Sequence, residues 1–524
     1  MGILFASSSR FRLKNENVVV AILAAALVIL TLLICSSDLS SHSIWLDEAE
    51  TRFNADKDKS VGEVVNMYTR RGSPPLYFLV IHEVLKIRDD EISLRMPSVI
   101  FGAGLILAVF LLARKLFGNG VGFFAALAFF LSDKFLHHAR DANPYTMYAF
   151  LTTLSTYCLW CAWETRRKKD WLIYAAVALL AVGTHLFAVL FVFGQMVTYL
   201  FLIRFWEIFK MKSREELKAF IEKEKCYFVV AGVFGVISAA WLLFYFASAG
   251  SRPTHLYEEV VSASFWLGLA KSAYFAFFPL KRYLVFIVLG LAYYIISDRE
   301  KGAYVTAVAV VPAILQIAAL STGAETAPRY FITTAPLLYI VAASSIRLGQ
   351  VLVEKARVHK AVGIGITMAT LLFFVQPMVL YKDTMNQILH KTRNYSWRHT
   401  AQLLDHHATE NDIILVCADY MMLPLEYYYK GSVERIGIEK DNDDPAYFNR
   451  VVDANLIGKQ RVWLILSHVR GDQPIVDYLN HFKRKLRTQS GAEFTIMTRQ
   501  VGFNPMADIA IVIYELGIAP EVGT

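Results

Sequence analysis

The sequence predicts an α-helical polytopic membrane protein with about eleven transmembrane helices, followed by a small C-terminal α/β domain outside the membrane. Three observations predict it. Of the 524 residues, 56% are hydrophobic and 19% charged, with a mean hydropathy of +0.41. A soluble chain of this length is not so apolar. Apolar runs long enough to cross a bilayer recur through residues 1–381. From Lys382 onward, short β-branched runs alternate with helix-like stretches, the pattern of an α/β domain. The chain therefore divides into a membrane module, 1–381, with a long first outer loop at 36–96, and an extracytoplasmic domain, 382–524.

The first apolar run is Val18–Cys35. It is longer than a secretory core of about 7–15 residues and more runs follow, so it reads as a retained helix. Next come Pro97–Leu116, Val121–Leu136 and Asn143–Trp163. The stretch from Trp171 to Trp206 must hold two spans, folded back near Gly183–His185. Tyr227–Ser248, Tyr283–Ser297, Tyr304–Leu320, Phe331–Ile346 and Ala361–Tyr381 complete the series, and Phe265–Pro279 reads as a re-entrant or interfacial segment. Within the first loop, "VGEVVNMY" and "YFLVIHEVLKI" are apolar at helical spacing but too short to span, so they read as helices lying on the membrane surface. Pro74 and Pro75 separate them.

The charges orient this array. "SSSRFRLKNEN", "ARKLFGNG", "ETRRKKD", "RFWEIFKMKSREELKAFIEKEK", "SDREKG" and "RLGQVLVEKARVHK" all fall on one side if the N-terminus is cytoplasmic. That makes the protein a multi-pass inner-membrane protein with its tail domain outside. The same rule explains the formal charge of +8, so nucleic-acid binding is not implied. The five cysteines, Cys35, Cys158, Cys161, Cys226 and Cys417, read as small packing residues, not a disulfide framework. No glycine-rich phosphate loop follows a strand, which argues against a cytosolic nucleotide site.

In the tail, "SWRHTAQLLDHHA" and "PIVDYLNHFKRKLRT" read as helices, and "DIILVCA", "RVWLILS" and "IAIVIYEL" as strands.

The ionisable residues that topology does not explain are nearly all in outer loops. "SIWLDEAETRF" places Asp47, Glu48 and Glu50 just after the first span. A carboxylate beside lipid is costly unless paired, hydrated or functional, and a desolvated one is a better base near neutral pH. Glu50 reads as a surface residue, and the Asp47–Glu48 pair as the candidate. The second outer loop brings His137, His138, Arg140, Asp141, Asn143 and Tyr145. Arg140 beside Asp141 reads as an ion pair or as part of a binding site. Histidines and an acid could bind a divalent metal, but no HxxxH or HExxH spacing is present, so a metal site is left open and not predicted; no other cofactor is predicted. Arg329 follows Pro328 at a span entrance, where a guanidinium is suited to holding a phosphate or to snorkelling. His185, at the outer turn of the hairpin, reads as a packed histidine or a ligand.

Taken together these motifs resemble a family. "LDEA" follows span one, "SPPLYF" lies later in the same loop, and "ARDANPY" follows span three. "THLF" follows span five, "APRYFITTAPLL" opens span ten, and "SWRHTAQLL" follows the last span. The order resembles the GT-C membrane glycosyltransferases, nearest to bacterial relatives of the protein O-mannosyltransferases and the lipid A aminoarabinose transferase. It runs from about Trp45 to Lys430. The resemblance implies a GT-C fold and transfer of a sugar from a polyprenyl-phosphate carrier to a lipid, glycan or protein acceptor on the outer face. It implies that Asp47 is the general base, with Glu48 supporting it. Many relatives carry a second arginine where this chain has Asn143, and a basic residue before the paired prolines where it has Ser73, with Arg70 and Arg71 just upstream. Arg329 with Tyr330 matches the family's Arg-Tyr pair, so Arg329 is the first choice for the phosphate. Arg140, Asp141, Tyr145, Arg71 and His185 are further candidates for substrate binding.

The chemistry is consistent with this reading. An acceptor hydroxyl must lose a proton as it attacks the anomeric carbon, which a carboxylate accepts. The leaving phosphate needs a cation. A single displacement inverts the anomeric centre, whereas Asp141 as nucleophile would allow a double displacement. Rival readings are an oligosaccharyltransferase or ligase using a pyrophosphate-linked glycan, a lipid-carrier transporter, or a non-catalytic scaffold. Transporters place functional charges at mid-membrane in repeated halves, whereas here the acids are external and no repeat is evident.

Overall fold

The computed structural model describes residues 2–70, 72–248, 282–320, 328–355, 357–380, 397–439, 455, 459–467 and 509–515. They form two compact units. One comprises Met1–Ser37 and Asn54–His390, the other Asp38–Phe53 and Lys391–Thr524. Phe265–Pro279, Arg71 and the tail helix expected at 474–488 lie outside the described residues.

The helical elements run in chain order as α1 (Gly2–Ser36), α2 (Leu46–Asn54), α3 (Val61–Arg70), α4 (Leu76–Ile87), α5 (Glu91–Phe117), α6 (Asn119–Phe130) and α7 (Asp133–Ala139). Then follow α8 (Tyr145–Thr165), α9 (Lys168–Thr184), α10 (Ala188–Val197), a π-helical turn (Thr198–Ile203), α11 (Phe205–Phe209), α12 (Arg214–Lys223) and α13 (Lys225–Ser248). The series closes with α14 (Arg282–Ile296), α15 (Arg299–Leu320), a 3₁₀ turn (Pro328–Thr333), α16 (Thr334–Ser344), α17 (Leu348–Lys355), α18 (Lys360–Leu380), α19 (Trp397–His407) and α20 (Met422–Tyr428).

Local chemistry starts these helices where the sequence turns polar. Ser60 and Glu63 form a reciprocal capping box at α3: Ser60 N donates to the Glu63 carboxylate at 2.7 Å and Glu63 N to Ser60 Oγ at 3.2 Å. Asp90 accepts from Ser93 N at 2.8 Å to open α5, which stops at Gly118 with φ +94°. Ser132 does the same for α7, accepting from Phe135 N. This cap splits the expected span Val121–Leu136: α6 ends at Phe130 and a new short helix begins.

Among the described residues, Val18–Ser36, Glu91–Phe117, Arg299–Ile317 and Arg329–Lys355 are long and apolar enough to cross a bilayer. The pair Arg214–Lys223 and Lys225–Trp241, bent by 75°, makes a fifth if taken as one span. Asn119–Phe130, Ala188–Leu200, Tyr283–Ile296 and Lys360–Gln376 are apolar but shorter. By length and composition alone this is fewer spans than the sequence count. For α8 the reason is its polar content. Thr152, Ser155 and Thr156 are buried in it. Thr152 and Thr156 donate to carbonyls one turn back at 2.8 Å. Gln195 on α10 donates to Ser155 Oγ at 2.9 Å and Thr156 Oγ1 at 2.8 Å. A helix enclosed by others satisfies polar side chains within the bundle and is not uniformly apolar. By contrast α1 exposes Val18, Ile22, Ile29 and Leu33.

Close approach is bought with small residues. At Gly194 on α10 an added Cβ would lie 2.7 Å from Pro312 Cγ on α15. At Gly102 on α5 it would lie 3.0 Å from Ala139 Cβ, which sets α7 directly against α5. The loop ahead of α13 is tied electrostatically. Glu224 is buried and accepts from Arg166 at 2.8 Å, Arg204 at 3.0 Å and Tyr199 OH at 2.6 Å.

The second unit is built on a four-stranded sheet, β1 (Asp412–Cys417), β2 (Glu434–Ile438), β3 (Arg461–Ser467) and β4 (Ile509–Glu515), in the order β2-β1-β3-β4. β1 is parallel to β2 and β3, with Leu415 opposite Ile436 and Leu464; β4 is antiparallel to β3, with Leu464 opposite Val512. Alternate strand residues Ile414, Val416, Trp463 and Ile465 pack with Trp397, Ala401 and Leu404 of α19 and Leu425 of α20. Asp412 is buried and accepts from Arg461 at 2.8 Å, Trp463 Nε1 at 3.1 Å and Thr409 N at 2.8 Å. The segment 38–53 belongs to this unit. Trp45 and Leu46 pack on the same core, Ile44 N donates to Tyr428 OH at 2.7 Å, and Arg398 donates to Ser40 O at 2.7 Å.

Candidate functional site

In the sheet unit, α2 carries Asp47 and Glu48 in its first turn. The two acids have different surroundings. Glu48 is buried, and its Oε2 accepts from Trp45 N at 3.1 Å. This is the backward reach of a capping-box glutamate, so Glu48 closes the start of the helix. Asp47 is half-buried, with its backbone carbonyl accepting from Thr51 Oγ1 at 2.8 Å. Its carboxylate sits at the positive end of the helix dipole. Glu50, one turn on, is half-buried.

In the helical unit, the motifs around the paired prolines and in the loop after α7 meet. Tyr77 on α4 is buried and its OH lies 2.8 Å from Ser98 Oγ on α5; Ser98 in turn donates to Asn143 O at 3.2 Å. Asn143, where a second arginine is expected, is also buried, and its Oδ1 accepts from Tyr145 N at 3.1 Å. Its amide thus sets the start of α8. Arg140 is buried and donates to Ser37 O at 2.8 Å, placing its charge at the C-terminal, negative end of α1.

Tyr145, His185, Arg329 and Tyr330 come together. The Arg329 guanidinium lies 5.7 Å from the Tyr145 ring centre and 6.0 Å from that of Tyr330. His185 stacks on Tyr148 at 4.5 Å and lies 5.8 Å from Tyr145 and 6.0 Å from Tyr330. Phe187 closes the group against Tyr330 at 5.2 Å. The three contributing elements are the first turn of α8, the turn between α9 and α10, and the 3₁₀ turn. Phe187 N donates to His185 Nδ1 at 3.2 Å, so the proton of the neutral ring is on Nε2. Burial, reinforced by Arg329, pushes the His185 pKa down to about 4. The cluster therefore combines one guanidinium, one neutral imidazole donor and several ring faces. Such a set holds an oxyanion beside a partly apolar, partly hydroxylated group. Sequence reasoning did not single out Tyr148 or Phe187; the helical spacing of Tyr148 from Tyr145 was the available signal.

Asp141 has a different neighbourhood. Its Oδ2 lies 3.3 Å from His137 Nε2, and the His137 and His138 rings are 5.1 Å apart. Each of His137, His138 and Asp141 offers a ligand atom within 4.8 Å of the others. Sequence spacing alone gave no metal pattern here. The signal was present as two adjacent histidines with an aspartate one turn on.

Comparison with known proteins agrees with this architecture. Residues 72–215 match the family model for dolichyl-phosphate-mannose–protein mannosyltransferase. No curated protein matches the sequence. Among solved structures, ArnT from Cupriavidus metallidurans bound to undecaprenyl phosphate is similar over 96% of this chain and 99% of its own, with a TM-score of 0.54 and 15% identity. Its apo form gives a TM-score of 0.55 at 14% identity, over 97% of this chain and all of its own. AglB from Archaeoglobus fulgidus, in complex with an inhibitory peptide and a dolichol-phosphate, is similar over 84% of this chain and 69% of its own, with a TM-score of 0.50 and 10% identity. The chain is a multi-pass membrane protein with the GT-C fold, resembling ArnT and the protein mannosyltransferases.

Proposed function

We propose that this protein transfers a sugar from a polyprenyl-phosphate donor to an acceptor hydroxyl on the outer face of the inner membrane, with inversion at the anomeric carbon. One observation carries the reading. Arg329 sits among Tyr145, His185 and Tyr330, on a fold whose ArnT representative binds undecaprenyl phosphate.

The roles follow from the side chains. Asp47 accepts the acceptor hydroxyl's proton as that oxygen bonds to the anomeric carbon. The bond from the anomeric carbon to the phosphate oxygen breaks, and the lipid phosphate leaves with the electron pair. Arg329 stabilises the charge gathering on that phosphate, and the neutral Nε2–H of His185 adds a donor without adding charge. Glu48 supports Asp47 by holding the first turn of α2. The acceptor is a lipid, glycan or protein. The N-terminus is cytoplasmic and the sheet unit extracytoplasmic, in keeping with the distribution of basic loops.

The likeness to AglB, an oligosaccharyltransferase, supports a second reading, oligosaccharide transfer, for which a pyrophosphate-linked carrier is the donor we propose. Membranes containing the protein, offered sugar-labelled monophosphate and diphosphate carriers side by side, separate the two. Consumption of the monophosphate donor supports the first reading, and consumption of the diphosphate alone replaces it with the second.

A further inference from the structure

We propose that His137, His138 and Asp141 bind a divalent transition-metal ion of the zinc class. The inference concerns ion binding alone and does not depend on the transfer reaction proposed above.

The donor set fits such an ion. Two imidazoles and one carboxylate suit zinc and its neighbours, whereas magnesium and calcium favour all-oxygen shells. Zinc bonds to histidine nitrogen and carboxylate oxygen at about 2.0–2.2 Å, which puts ligand atoms of a tetrahedral site about 3.3 Å apart. His137 Nε2 and Asp141 Oδ2 already stand 3.3 Å apart, and all three ligand atoms lie within 4.8 Å of one another. The remaining closure is a matter of side-chain rotation. His137 has room for it, with 41% of its side chain exposed.

The backbone presets the group. His137 and His138 occupy the last turn of α7 and Asp141 follows directly, so one helical turn brings all three to one place. α7 is fixed beneath them by buried Phe135, Leu136 and Ala139, and by the close approach at Gly102. Asn143 N donates to Asp141 O at 2.9 Å, which holds the turn. His138 is buried, with its ring 5.2 Å from Tyr145. Three protein ligands leave a coordination position open, as in zinc sites that exchange a water. Of the three ligands, His137 is the one with substantial solvent access. A bound ion would add positive charge one aromatic ring away from Arg329.

The rival is a simple His137–Asp141 ion pair. Full-length protein purified in detergent, stripped with chelator and titrated with Zn²⁺ against a chromophoric competitor, distinguishes them. Co²⁺ serves as a spectroscopic probe of the same site. We expect about one ion per chain and visible cobalt absorption of a low-coordinate N/O site. His137→Ala, at the partly exposed position, and the isosteric Asp141→Asn should each weaken zinc binding by roughly a hundredfold. Both should keep the wild-type helical circular dichroism and elution volume. Absence of stoichiometric binding in the wild type, or equal binding in both folded variants, would overturn the proposal.

Discussion

The Arg329 guanidinium lies 5.7 Å from the centre of the Tyr145 ring. That relationship joins the 3₁₀ turn 328–333 to the first turn of α8, two segments far apart in sequence. It places a fixed cation within cation–π reach of an aromatic ring.

Arginine at this position should not be exchangeable with lysine. A lysine keeps the charge but loses the planar fork and the ring contact. Arg329→Ala should lower transfer from a polyprenyl-phosphate sugar by about a hundredfold, and Arg329→Lys by about tenfold or more. Steady-state kinetics with varied donor, in membranes of matched protein content, checks both.

Asp47 and Glu48 are adjacent but should behave differently. Asp47→Asn removes the proposed base and should reduce turnover by about a thousandfold with little change in thermal stability. Glu48→Gln retains the capping geometry and should keep substantial activity. Glu48→Ala should cost roughly 1 kcal/mol of stability through the lost cap. Thermal unfolding in detergent, alongside transfer rates, separates the two roles.

The depressed pKa of His185 has a direction that can be measured. Folding favours its neutral form, with a pKa of about 4 in the protein against the usual 6.5. Between these values the unfolded chain binds more protons, so this contribution to stability is complete above about pH 6.5 and is lost as pH falls toward 4. The thermal midpoint of the wild type should fall more steeply over that window than that of His185→Gln. Activity should show no inflection near pH 6.5 from this residue.

Much of the fold was legible because the relevant signals are local. Apolar length marked α1 and α5, helical spacing marked the surface segments that became α3 and α4, and a polar Gly-Thr-His break marked the turn between α9 and α10. β1, β3 and β4 announced themselves as β-branched runs. β2 did not: "ERIGI" is an edge strand of mixed burial interrupted by Gly437, so neither alternation nor composition sets it apart. The break at Ser132 carries a local mark, the polar triplet Ser132–Asp133–Lys134, and the expected span Val121–Leu136 runs through it.

Other features depend on long-range placement and leave no local mark. That Asp38–Phe53 joins the sheet unit rests on contacts with Arg398 and Tyr428. That Arg140 meets the end of α1 rests on the close approach of α7 to the bundle. The meeting of Asp141 with His137 and His138 uses the last turn of the short helix α7, an arrangement that HxxxH and HExxH spacings do not describe.

Two structural variants test the packing account. Gly194→Val would drive a side chain into Pro312, whose Cγ lies 2.7 Å from an added Cβ, and should destabilise the protein by about 1–3 kcal/mol. Glu224→Ala would leave the buried Arg204 without the carboxylate it meets at 3.0 Å, at a cost of about 3 kcal/mol. Both should appear as lower thermal midpoints in detergent, with Arg329 and Asp47 unaltered.

The central claim is sugar transfer from a polyprenyl-phosphate carrier with Asp47 as the base. The direct measurement is release of lipid phosphate from a sugar-labelled polyprenyl-phosphate donor by membranes bearing the wild type or Asp47→Asn. The account predicts acceptor-dependent release by the wild type and its near-complete loss in the variant, with both proteins inserted at equal levels. Equal release by the two would contradict it.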